Sequence, residues 1–480
     1  MGGRERLCLL AALLMVAGCS DSGVRSVAAD PIAATSTVAP VVNSEVPASE
    51  GVGDALFPDL GNPGIDVQHY DLRLQYDPLA ERVTGNVRVQ LLLSEPRDRI
   101  TLDAVGLAVS AVQVDGEEVT FEADDPELRI DLPGPTGAGD EILVDVAYSA
   151  GTGGTGSEVG LDVGWFETVE GAYVLNEPDG ARYWMPCNDH PSDKATWSFD
   201  IGVPDGLTVV ANGALVSDDG GRWVWQEAEP MATYLVQVLV GRYELLEGAT
   251  PQGLPLLHAV VRDGVGDVQP YLDVTVQQIE FFEQWFGPYP LDRYGLAITD
   301  SESGLAMETQ GRSLFSREDL PGGPPMYFQH LLLAHELAHQ WFGNAVTPAV
   351  WQDIWLNESF ATYAEWMWLE HAGFVSVDDS AAQALASRPL GSPASPTADS
   401  LFGTNSYQGG AVALHALRRT IGDDAFFALL RQWVTTNLGG TGTTKEFIGL
   451  AEQVSARSLT TFFADWLFAD RPPAEFPVAV

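Results

Sequence analysis

Two histidines and two glutamates carry the first chemical signal in the chain. His335-Glu336-x-x-His339 spaces its imidazoles by four residues, which on a helix puts both on one face. Neutral imidazoles so placed can meet one zinc ion at about 2 Å, with Glu336 beside the first of them able to hold and deprotonate a water molecule there. Eighteen residues separate His339 from Glu358, which lies in a second helical stretch after a polar, Pro-containing turn. A helical hairpin can bring Glu358 back to the metal. Two histidines and one glutamate make the open three-ligand set of hydrolytic zinc, leaving a fourth position for water or substrate. A closed structural site would supply a fourth side chain. The three cysteines, Cys8, Cys19 and Cys187, cannot form a four-thiolate site or a disulfide framework.

At these residues the chain resembles the aminopeptidase N family of zinc exopeptidases, gluzincins whose signature is His-Glu-x-x-His, eighteen residues, Glu. The resemblance extends to Gly304-Leu305-Ala306-Met307-Glu308-Thr309, similar to the family's Gly-x-Met-Glu-Asn segment. It implies that Glu308 binds the substrate's free α-amine and that the backbone of Gly304 and Ala306 pairs with the peptide. Leu305 and Thr309 depart from the pattern. Leu175-Asn176-Glu177-Pro178 through Arg182, followed by Pro186-Cys187-Asn188-Asp189-His190-Pro191, resembles the family's Gln-x-Glu-Pro to Pro-Cys-x-Asp-Glu-Pro stretch, which makes Glu177 the second amine anchor. Two carboxylates facing one ammonium select chains with free N-termini, because a blocked amide offers no charge to pair. Asn405-Ser406-Tyr407-Gln408-Gly409 resembles the segment whose tyrosine stabilises the oxyanion, so Tyr407 takes that role, with Gly409 where the family has lysine. The resemblance covers roughly residues 57 to 470 and implies one Zn2+ per chain. Longer members carry a further helical domain that caps the cleft, so a more open cleft is expected here.

The elements that must position these residues are legible from periodicity. Residues 69–76 and 87–91 alternate apolar and polar side chains, the period of half-buried strands, and residues 112–119 place an Asp-Gly turn between strand-like arms. Strand-like segments at 141–147 and 207–211 continue the rhythm. After Pro255 the texture changes, with helical spacing over 274–286, a strand candidate at 294–299 and helical patterns from Met326 to about Leu467. The zinc-motif stretch reads as a helix opened by Pro325 and closed by Gly343.

With 480 residues, 24 Lys+Arg against 67 Asp+Glu, and a net charge of -43, the chain is a multidomain protein whose field repels phosphate backbones, so no nucleic-acid partner is expected. Arg4 and Arg6, an apolar run from Leu7 to Ala17 and Val16-Ala17-Gly18-Cys19 read as a secretion signal ending in a lipobox. Cys19 is then the lipidated N-terminus, and residues 20–56, a Ser, Ala, Val, Pro and Thr run without period, form a tether.

The expected protein is α+β and multidomain: signal peptide 1–19, tether 20–56, an N-terminal antiparallel β-sandwich over 57–248, and a thermolysin-like, mostly helical catalytic domain over 249–480. It is expected to be a zinc aminopeptidase on the extracellular face of a bacterial cell membrane, held only by its lipid anchor and acting on peptides with free N-termini. Two readings stay beside it, a zinc endopeptidase and a non-catalytic surface lipoprotein.

Overall fold

The computed structural model describes residues 51–480 except 158, 264, 302, 303 and 305; the expected signal, Cys19 and most of the tether lie outside these residues. Alternating burial along Ile65–Asp77 and Arg82–Leu93 turns one face of each strand inward, as period-2 apolar patterning requires. These strands sit in an eight-stranded sheet whose order runs Ala214–Asp218, Arg222–Ala232, Lys194–Gly202, Ile65–Asp77, Arg82–Leu93, Glu141–Gly151, Ala108–Val114, Glu117–Glu118. A five-stranded sheet that includes Ala172–Leu175 and Val238–Gly241, and a three-stranded sheet that includes Arg99–Asp103, bury their inner faces in the same core, with Leu72, Val89, Val144, Trp197, Trp165 and Val240 among its members.

The catalytic half is built from one mixed sheet and seven longer helices. The sheet order is Tyr243–Ala249, Pro255–Val261, Leu296–Thr299, Ser313–Ser316 and Ala306–Met307. The helices are α1 (Gln269–Phe286), α2 (Tyr327–Ala338), α3 (Trp355–His371), α4 (Val377–Ser387), α5 (Gly410–Ile421), α6 (Asp423–Asn437) and α7 (Thr444–Ser455). A second core of Phe282, Leu333, Trp341, Phe342, Phe360 and Phe447 lies among them, and α2 packs along α3 to form the expected hairpin.

Four expectations are corrected. The sandwich is not wholly antiparallel, because Ile65–Asp77 runs parallel to Lys194–Gly202. The boundary at 248/249 falls on a strand: Tyr243–Ala249 pairs with Pro255–Val261, so the mixed sheet begins before it. The tether ends earlier than residue 56, because Asp54 is buried and its Oδ2 accepts from the Trp351 amide at 2.7 Å. Finally, α2 stops at Ala338 rather than at Gly343, although the His339 amide still donates to His335 O at 3.3 Å.

Buried polar contacts tie the two halves together. Arg312, 1% exposed, sends Nη1 to Ala211 O at 2.7 Å and Nε to Leu257 O at 2.9 Å. Lys194 Nζ donates to Asn344 O at 2.8 Å, and Tyr234 Oη to Gly343 O at 3.1 Å. Backbone carbonyls at the end of the zinc motif are thereby held by side chains of the N-terminal half. Burial pulls the Lys194 ammonium down to about 7.

Candidate active site

Helix α2 presents His335 and, at its C-terminal end, His339 on one face, while the first turn of α3 returns Glu358 to them. The two Nε2 atoms are 3.1 Å apart, and Glu358 Oε2 lies 3.2 Å from the first and 3.5 Å from the second. The outer ring nitrogens are occupied: His339 Nδ1 is 3.1 Å from Phe342 O, and His335 Nδ1 is 2.5 Å from Glu365 Oε1. A carbonyl only accepts, and a carboxylate does so when ionised, so in the neutral rings each Nδ1 carries the proton and each Nε2 is bare.

With both rings neutral, three lone-pair donors face one another, and one dication between them would satisfy all three. Ligands about 2.0–2.1 Å from a tetrahedral zinc are about 3.3–3.4 Å apart, which matches this triangle. The acids around the triangle make the same demand. Against the cost of burial, Glu358 and Glu365 raise the His335 imidazole well above its ordinary value, and Glu308 and Glu358 raise His339 to about 9. Two protonated Nε2 atoms cannot face each other at 3.1 Å, whereas one dication meets the demand. These residues fit zinc.

The remaining expected residues gather at the same place. Ligand atoms of Glu308, Glu336 and His339 lie within 4.8 Å of one another, as do those of Glu177, Glu308 and Glu358. Burial pushes Glu336 up to about 8, with His335 and His339 pulling the other way. Burial also raises Glu308 and, with the Glu308 charge added, raises Glu177 further. One buried oxygen of each, Glu177 Oε1 and Glu308 Oε1, has no hydrogen-bond partner, a cost that a cationic ligand would remove.

Tyr407 lies in a π-helical turn, Asn405–Gly409, that leads into α5, with its ring stacked at 18° and 5.9 Å from that of His335. Burial, reinforced by Glu358 and Glu177, pushes its phenol far above the usual range, so it stays a donor. The turn is held against α3 by Ser359 Oγ donating to Ser406 O at 2.6 Å. Only glycine fits at 410, where a Cβ would lie 1.9 Å from Ser359 Oγ.

Ala306 stands on the edge strand of the mixed sheet, paired on one side with Phe315. Gly304 is beside it, but its N–H donates to Asp319 Oδ2 at 2.6 Å, which leaves only its carbonyl for a peptide. Thr309, where the family has asparagine, donates to Arg312 O at 2.5 Å and accepts from Gln237 Nε2 at 2.7 Å, joining the halves rather than facing the metal.

Three functional residues escaped the sequence reading. Glu365 orients His335, and Gln340 and Asn344 pin the Glu308 carbonyl at 3.2 and 2.6 Å. The signal for Glu365 was its position seven residues after Glu358, two turns along the same helix face; Gln340 and Asn344 gave none beyond adjacency to His339.

Comparison with known proteins agrees with this geometry. Residues 271–466 match the peptidase family M1 domain and residues 66–235 the peptidase M1 N-terminal domain. The M1 zinc metallopeptidase from Deinococcus radiodurans is similar in structure, with a TM-score of 0.81 and 32% identity over 90% of this chain and 100% of that one. A mutant of that protein, bound to a Tyr-Ser-Ala substrate, superposes with a TM-score of 0.80 at 31% identity over 90% of this chain and 99% of that one. Among curated relatives, "Probable aminopeptidase 2" of Sulfurisphaera tokodaii is 28% identical over 86% of this chain and 54% of its own length. Aminopeptidase N of Lactococcus lactis is 27% identical over 83% of this chain and 50% of its own. The chain thus spans about half the length of these curated relatives and the whole length of the two-domain structures. With the ligand triangle, the helical hairpin and the preceding β-domain all in place, the chain belongs to peptidase family M1.

Proposed function

We propose that this protein is a zinc aminopeptidase that releases N-terminal residues from peptides. The observation that carries the reading is the pair of buried, unpartnered carboxylate oxygens, Glu177 Oε1 and Glu308 Oε1, beside the His335, His339 and Glu358 triangle. An α-ammonium offers three N–H donors and a charge, and so satisfies both acids next to the site of cleavage. The names of the curated relatives and the peptide complex of the solved neighbour support it.

His335, His339 and Glu358 would hold the zinc, which would supply Lewis-acid polarisation of the scissile carbonyl and acidification of water. The chain's own residues do the rest. Glu177 and Glu308 fix the N-terminus, so that the first peptide bond reaches the triangle. Ala306 on the edge strand and the Gly304 carbonyl offer backbone partners to the peptide. The Glu336 carboxylate takes a proton from the attacking water and passes it to the leaving nitrogen. The Tyr407 hydroxyl donates to the oxyanion as it forms.

Incubating residues 51–480 with a peptide and its N-acetylated twin, with and without a chelator, tests this. Stepwise loss of N-terminal residues from the free peptide alone, stopped by chelator, is expected. Internal cleavage of both peptides would instead assign an endopeptidase, and silence with zinc bound a non-catalytic surface protein.

The location proposed is the outer face of a bacterial membrane, through a lipid on Cys19. The lipobox-like end of the leader and the aperiodic run after it support this reading, and no helix among the described residues is long and apolar enough to cross a membrane. Release of a Cys19→Ala protein into the medium, with unchanged protein staying in the membrane fraction, is the expected result.

A further inference from the structure

Three carboxylates converge where the proposed function needs a single ammonium. Oxygens of Glu177, Glu308 and Glu358 lie within 4.8 Å of one another. Glu308 is 4% exposed, and Glu177 Oε1 and Glu308 Oε1 have no hydrogen-bond partner. Glu358 already faces the two histidines through Oε2, and Glu336 stands beside His339 and Glu308, so the two charges of zinc at the triangle are taken up by Glu358 and Glu336 and leave the other two acids uncompensated. A bound ammonium brings one positive charge to two negative ones. A second dication would match them.

Geometry and donor type agree with that accounting. Oxygens on opposite sides of an ion are about 5 Å apart for Ca2+, bound at about 2.3–2.6 Å, and about 4 Å apart for Mg2+, bound at about 2.0–2.1 Å, so three oxygens within 4.8 Å of one another can share one cation. An all-oxygen set suits Mn2+, Mg2+ and Ca2+, while the imidazole-containing triangle favours zinc. We infer that Glu177 and Glu308, with Glu358 shared, form a second and weaker divalent-cation site that overlaps the position of the substrate's ammonium. Excess divalent cation then acts as a competitor of free N-termini, raising KM and leaving kcat unchanged. The competition rests on the aminopeptidase reading; the cation binding rests on the three carboxylates alone.

Mn2+ is the probe, titrated into the zinc-loaded chain and followed by loss of the free-ion EPR signal. The Glu336→Gln protein serves as the reference, so that added peptide is not consumed. One Mn2+ per chain is expected beyond weak surface binding, with affinity reduced tenfold or more by Glu177→Gln and by Glu308→Gln. Elemental analysis showing one zinc retained in each variant separates this loss from misfolding. An unblocked tripeptide should release the Mn2+, and its acetylated twin should not, a comparison that needs no change at either acid. Mn2+ binding as tight in both variants as in the reference protein would overturn the inference while leaving stepwise peptide cleavage untouched. Binding that is lost in the variants but indifferent to the unblocked peptide would keep the cation site and overturn the amine assignment.

Discussion

Glu365 holds His335 from behind: its Oε1 is 2.5 Å from Nδ1, while the Nε2 of the same ring faces Glu358 Oε2 at 3.2 Å. Both glutamates lie on α3, so one helix supplies a ligand and also orients another ligand carried by α2. Glu365→Gln keeps the shape and removes the charge that makes Nε2 a strong donor. Zinc affinity should fall about 10–100-fold, read by competition with a calibrated chelator. Unchanged affinity would mean that α2 alone fixes the ring.

Glu336 and Tyr407 touch the reaction and leave the ligand triangle alone, so their removal should separate turnover from metal content. Glu336→Gln is expected to lower kcat by about 10²–10⁴ and Tyr407→Phe by about 10²–10³, both with one zinc retained. Near-normal turnover in a zinc-loaded Glu336→Gln protein would remove Glu336 as the base.

Gly410 lets α5 approach α3 where Ser359 holds the turn that carries Tyr407. An added methyl group would meet both Ser359 Oγ at 1.9 Å and Ser359 Cβ at 2.7 Å. Gly410→Ala should cost about 1–3 kcal/mol of stability through overpacking and should lower kcat more than it raises KM, because the displaced group serves the transition state. Denaturant melts and steady-state kinetics give both quantities. A stable, fully active variant would show that the turn tolerates movement.

His258 lies on the strand Pro255–Val261 of the mixed sheet, 3% exposed, with Nδ1 accepting from the Leu296 amide at 3.0 Å. Burial, aided by the Arg312 charge, pulls its pKa down from 6.5 to about 4. The folded protein favours the neutral ring, so this contribution is complete above about pH 6.5 and is lost as the pH falls towards 4; at pH 5 the loss is about 2 kcal/mol. His258→Gln keeps an acceptor without the titration. The stability difference between the two proteins should therefore shift by that amount between pH 7.5 and 5, read from melts at both pH values. A difference that does not change with pH would show the ring to be solvated.

Features written in local spacing were legible in the sequence. The four-residue step between His335 and His339, the return of Glu358 after a turn, and the alternation through 69–76 all depend on one element or two adjacent ones, where periodicity fixes which face a side chain occupies. Long-range packing decided the rest. The π-helical turn over Asn405–Gly409 runs into α5 where Gly410 lets that helix reach Ser359, some fifty residues back along the chain. The parallel pairing of Ile65–Asp77 with Lys194–Gly202 joins strands more than a hundred residues apart, and no turn signal announces such a partner. The strand Tyr243–Ala249 looks like its predecessors in composition, and only its ladder with Pro255–Val261 assigns it to the catalytic sheet.

The two acids proposed to grip the N-terminus come from opposite sides of the junction that Arg312 and Lys194 seal: Glu177 from the β-rich half, Glu308 from the catalytic half. Everything that breaks the bond belongs to one side only. Cleavage therefore draws on one half of this architecture, while the proposed choice of where to cleave draws on both. A change in how the halves are seated would move Glu177 relative to Glu308, and so the grip on the N-terminus, while His335, Glu336, His339, Glu358 and Tyr407 keep their places relative to one another.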